Sequence, residues 1–170
     1  MASLMDDLLG ILESEEKEYR ELIGLSERKR RVIIDANITE LEKITDQEQM
    51  VADILHNLEL KRTGVLADMA VVLGRNREEL TVDKMIEILE KQPQEQKKLL
   101  EFRTRLRATL DEMIQWNQQN QVLLKNALEM VEFDLNLFKS LRQAPETANY
   151  NRSAYNTGDL LGTGGFDAKQ

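Results

Sequence analysis

Residues 93–142 read PQEQKKLLEFRTRLRATLDEMIQWNQQNQVLLKNALEMVEFDLNLFKSLR, and after the opening proline the run holds neither proline nor glycine. Proline suits the first turn of a helix, where a missing N–H leaves no bond unmade. The stretch therefore predicts one helix of about 50 residues, roughly 75 Å long at ~1.5 Å per residue. At ~100° per residue, Leu99, Phe102, Leu106, Leu110 and Met113 fall within about 40° of one line. Asn117 and Asn120 continue that line, and Leu124, Leu128, Val131, Leu135 and Phe138 resume it. Amides on an apolar seam act either as polar layers that fix helix register or as sites of local water-filled packing.

After Gln121 a second stripe opens. Leu123, Met130, Leu137 and Leu141 lie roughly 100–140° from the first line, with Val122 and Phe133 beyond them. One bundle seam cannot bury both. Either the helix is flanked on two sides by neighbours from its own chain, or one apolar surface is left for a partner helix.

Upstream, residues 3–36 carry Leu4, Leu8, Ile11, Leu12, Tyr19, Leu22, Ile23, Leu25, Val32 and Ile33 at three- and four-residue spacings, which predicts an amphipathic helix. Asp35-Ala36-Asn37 offers side chains that end one helix and cap the next. A second helix follows through Leu41, Ile44, Val51, Leu55, Leu58, Val65, Met69 and Val72, with Glu48 and Arg62 as polar interruptions of a nearly 3.5-residue repeat. Residues 73–80, LGRNREEL, form a break with Gly74 as C-terminal cap. Thr81 then caps a short helix that turns Val82, Met85, Ile86 and Leu89 inward. No strand pattern occurs, and the expected fold is all-α, with three long helices and one short one. If the helices run up, down and up, the last overhangs the first by roughly 20 Å, and the overhang carries the doubly apolar segment.

From Pro145 the pattern stops: the tail holds four of the eight glycines, two of the three tyrosines and no helical period. The expected organisation is a helical bundle domain over 1–143 and a flexible C-terminal tail over 144–170. Tail aromatics on a tether are suited to finding a groove on a second partner, and Leu160, Leu161 and Phe166 add to such a contact. A dispensable flexible end is the competing explanation.

Composition narrows the function. Net charge is −8, with 32% charged and 41% hydrophobic residues and no cysteine. Phosphate repulsion disfavours a nucleic-acid partner. Disulfides, thiol catalysis and cysteine-based zinc sites are excluded. The basic cluster at 27–31, ERKRR, fans around a helix and makes a solvated face. The N-terminal stretch lacks a basic n-region, and Asp6 and Asp7 interrupt its apolar run, so no signal peptide is expected. No run approaches ~18 apolar residues, so no membrane insertion is expected.

Catalytic chemistry finds no support. His56, in DILH at 53–56, is the single histidine, and a di-iron bundle site needs two acid-x-x-His motifs with further glutamates. GTGG at 162–165 follows no strand and starts no helix, so it lacks the setting of a phosphate loop. No serine sits in a nucleophile motif. The carboxylates are spread along helix faces with basic partners one turn away, as in Glu27–Arg31 and Glu101–Arg105. We expect no enzyme, no catalytic residue, no cofactor and no metal.

The order of parts resembles a known family. A leading long helix precedes DANITELEKITDQEQMVADILHNLELKR and the turn LADMAVVLG. The last helix holds NQQNQVLLKNALEMVEFDLNLF and leads to the tail AYNTG at 154–158. Over essentially the whole chain this is similar to flagellar export chaperones of the FlgN type. The resemblance implies an antiparallel, left-twisted bundle of long, coiled-coil-like helices acting in the cytoplasm. Such chaperones bind the C-terminal region of hook-associated (hook–filament junction) proteins, prevent premature assembly and deliver them to the type III export gate or ATPase complex. It also implies, from tyrosine-bearing tails of some relatives, a gate-docking role for Tyr150 or Tyr155.

With that resemblance, Leu123, Met130, Phe133, Leu137 and Leu141 become the expected cargo-binding surface. A monomer or weak homodimer is expected. The alternative is a structural coiled-coil protein that self-associates without a client.

Overall fold

The computed structural model describes residues 1–143. Four helices account for most of them: α1 (Ala2–Ile34), α2 (Ile38–Val72), α3 (Val82–Ile88) and α4 (Pro93–Gln143). A single 3₁₀ turn, Leu89–Lys91, links α3 to α4. No strand occurs among the described residues. The chain divides into two compact units, Met1–Leu124 and Lys125–Gln170. The described part of the second is the final stretch of α4.

Within the first unit, cross-helix contacts set the topology. Glu15 of α1 meets Arg62 of α2, whereas Arg28 and Lys29 meet Gln47 and Glu48. Moving up α1 moves down α2, so the two are antiparallel. Glu16 meets Arg105 and Ser26 meets Asn120, so α4 runs in the same sense as α1. The three long helices thus run up, down and up.

The connection between α1 and α2 is minimal. The Ala36 N–H donates to Ile33 O and the Asn37 N–H donates to Val32 O, a Schellman closure of α1. Asn37 Oδ1 then accepts from the Glu40 N–H at 3.2 Å and caps α2. Ala36 occupies the left-handed position of this motif at φ +52°, where a Cβ costs about 1–2 kcal/mol. Glycine removes that clash but loses more freedom on folding, by roughly 0.5–1 kcal/mol. Ala36→Gly is therefore expected to stabilise the protein by about 0.5 kcal/mol, read as a rise of about 1–2 °C in thermal melting. An unchanged or lowered midpoint contradicts this account of the turn.

α2 ends in the same motif, this time with Gly74 at φ +65°. Its N–H donates to Val71 O, and that of Arg75 to Ala70 O. Thr81 caps α3 by accepting from the Lys84 N–H. Gln96 Nε2 donates to Ile86 O at 2.9 Å and ties the start of α4 to α3.

Two apolar cores result. The larger gathers Met5, Leu8 and Leu12 of α1, Leu66, Met69 and Ala70 of α2, Leu80, Met85 and Leu89 around α3, and Leu99 of α4. The smaller consists of Leu25, Ile44 and Val51, with Leu22, Val32 and Leu55 against it. Val72, expected in the seam, is exposed. A 3.6-residue helix drifts about 20° per heptad from a 3.5 repeat, so by the end of α2 the neighbouring Met69 and Ala70 face the core instead.

Candidate functional site

A polar belt lies on α1 between the residues of the two cores. Glu15 is buried and accepts from Arg62 Nη1 at 2.9 Å. Glu16, also buried, takes Arg20 at 2.8 Å from its own helix and Arg105 at 3.1 Å from α4. Arg105 thus reaches across to α1 rather than to Glu101, the partner expected from spacing. Burial raises the Glu15 pKa above the ordinary carboxylate value; Arg62 opposes the rise and Glu59 adds to it. The Tyr19 hydroxyl is raised too, by burial first and then by the Glu15 charge. All three long helices meet here through charged partners.

Higher up α1, the two amides of the seam part company. Asn120 is buried and its Nδ2 donates to Ser26 O at 2.8 Å, while Oδ1 has no hydrogen-bond partner among the described residues. Asn117 is exposed and lines an open cleft of about 260 Å³ with Ser26, Glu48, Gln49 and Met113. One amide is therefore buried against a carbonyl of α1, and the other lines an open cleft. The basic cluster is largely engaged: Arg28 donates to Gln47, Lys29 pairs with Glu48, and Arg30 lies 5.8 Å from the Trp116 ring centre.

These groups do not assemble into a reaction centre. Glu15 and Glu16 are paired with guanidinium groups, His56 is exposed, and no three His, Cys, Asp or Glu among the described residues could hold a metal ion. No described helix is long and apolar enough to cross a membrane.

The second unit differs in character. Leu128, Met130, Val131, Phe133, Leu135, Leu137, Phe138 and Leu141 are each 50–69% exposed. Four of the five expected cargo-contact residues, Met130, Phe133, Leu137 and Leu141, share one side of α4 here. Leu123, the fifth, is half-buried in the first unit. Leu128, Val131, Leu135 and Phe138, which carry the seam line into the segment expected to overhang, are exposed too. Their spacing continues the largely half-buried seam of the first unit, and periodicity records a stripe without recording whether a neighbour reaches it. Arg142 lies 5.2 Å from the Phe138 ring centre and partly shelters it. Tyr150 and Tyr155 lie outside the described residues.

The family model described as FlgN protein matches residues 1–158. No curated protein and no solved structure matches the chain.

Proposed function

The chain belongs to the FlgN family of flagellar export chaperones, and from that premise we propose that it serves hook–filament junction proteins in the cytoplasm. It holds the C-terminal region of such a client, keeps it from assembling early and brings it to the flagellar export gate or ATPase complex. The supporting observation is the group of exposed large apolar residues at 128–141 in a chain of net charge −8. Apolar surface on this scale marks an interaction site, and an amphipathic helix docks by burying such a stripe. Met130, Phe133, Leu137 and Leu141 take part in the contact. A client segment that folds as it binds sacrifices affinity to ordering, which suits later release.

Titrating the purified chain with a C-terminal fragment of a junction protein from the same bacterium tests this. A saturable complex with a monomeric or weakly dimeric chaperone is expected. A stable homo-oligomer that ignores the fragment favours a self-associating structural protein instead.

Tyr150 and Tyr155 are proposed to touch the export machinery, leaving the helices free to hold the client. Changing both to alanine should spare fragment binding and reduce junction protein in culture supernatants by on the order of tenfold, as loss of aromatic anchors does. Normal export by that variant removes the docking role.

A further inference from the structure

The exposed residues of the second unit form two stripes. Leu128, Val131, Leu135 and Phe138 centre on one line, and Met130, Phe133, Leu137 and Leu141 on another about 135° away, at ~100° per residue. Asp134 and Ala127 occupy the short arc between them. The long arc carries Lys125, Glu129, Glu132, Asn136, Lys139 and Ser140.

Area shows that one stripe is not enough. At 50–69% exposure, each large apolar side chain leaves roughly 100 Å² in water, so four supply about 400 Å² and eight about 800 Å². A stable interface takes about 800 Å² from each partner. A single amphipathic helix laid on either stripe therefore reaches half the usual size and leaves the other stripe wet.

The angle identifies what covers both. Two helices packed about 10 Å from α4 in directions about 135° apart have axes about 18 Å from each other, well beyond the 8–10 Å of packed helices. They straddle α4 without touching. Copies of α4 itself fit less well. A twofold pair covers one stripe per helix, and closed rings of three or four helices place neighbours about 60° or 90° apart. Resting on the chaperone function proposed above, we infer that a single client chain lays two separate helical segments on residues 128–141, one on each stripe. α4 is then the middle rod of a three-helix assembly, with its charged arc left to solvent.

Calorimetric titration of the full-length chain with the junction-protein fragment distinguishes the outcomes. Three variants are compared: Val131→Glu with Leu135→Glu on the first stripe, Met130→Asp with Leu137→Asp on the second, and Asn136→Lys on the charged arc. All replaced side chains are exposed, so helix content by circular dichroism should match the wild type. One fragment per chain is expected, with affinity falling by on the order of 1,000-fold or more in each stripe variant and unchanged in Asn136→Lys. Loss confined to one stripe variant overturns the two-segment inference while leaving the chaperone function standing. Binding of two fragments per chain also overturns it, because each then covers a stripe alone. Wild-type affinity in both stripe variants, or no binding by the wild type, removes the proposed function and this inference together.

Discussion

Replacing Met130 and Leu137 by aspartate is expected to abolish client binding and to leave the helical circular-dichroism signal intact. Both side chains project largely into water in the free protein, so the change removes little internal packing. Aspartate in a helix interior costs about 0.5–0.7 kcal/mol per site relative to alanine, spread over a helix of 51 residues. Against a partner the balance differs. Each Met or Leu that becomes buried contributes up to about 1.5–3 kcal/mol, and a carboxylate in its place is left desolvated without a partner. The summed loss is on the order of 5 kcal/mol, more than a thousandfold in affinity. Unfolding of the double variant identifies these residues as core and sinks the proposed surface, as does wild-type binding.

The second large effect concerns Arg62→Met. The Glu15 side chain is 4% exposed and that of Arg62 30%, with 2.9 Å between them. Removing one partner of a fully buried ion pair costs about 3–5 kcal/mol; with Arg62 partly solvated we expect about 2–3 kcal/mol at neutral pH. The direction with pH follows from the raised Glu15 pKa. The folded state holds that proton more tightly than the unfolded state does. This stabilisation is fully present below the ordinary carboxylate pKa and is lost as pH rises through the folded value. Without Arg62 the folded value climbs further, so the variant loses more stability as pH rises toward neutrality. Denaturant titrations across a pH series should show the gap between wild type and Arg62→Met closing on acidification. Glu15→Gln, with no charge to bury, should remove most of that pH dependence. A gap that stays constant means that the guanidinium acts through packing alone.

Much of the architecture was legible because it depends on local chemistry. Asn37, Gly74, Thr81 and Pro93 mark helix ends through hydrogen bonds and backbone geometry that a few adjacent residues decide, and each does so in the structure. The alternation of apolar positions likewise placed Leu8, Leu12, Leu25, Ile44, Val51 and Met69 inside. What failed depends on a third body. Glu15 and Glu16 looked like solvated carboxylates, and only the arrival of α2 and α4 makes them a buried belt. Asn117 and Asn120 are the same residue type and point only about 60° apart on the wheel, yet only Asn120 finds a carbonyl opposite it. Spacing alone left the exposure of Leu128, Val131, Leu135 and Phe138 open, because a stripe that continues a seam repeats in the same way whether or not a neighbour covers it; only the length of the last helix pointed to an uncovered end.

The turn at Asn37 also shapes how the molecule is made. Its N–H finishes one helix and its side chain begins the next, so the chain reverses within a couple of residues. Closing so short a loop carries the smallest entropic penalty of any step that brings distant residues together, and such contacts form early. Asn120 and Ser26 stand 94 residues apart, and their meeting is slow by comparison. During synthesis the first hairpin therefore zips outward from Asn37 while α4 is still being translated. The apolar end of α4 emerges after that hairpin, last among the described helices.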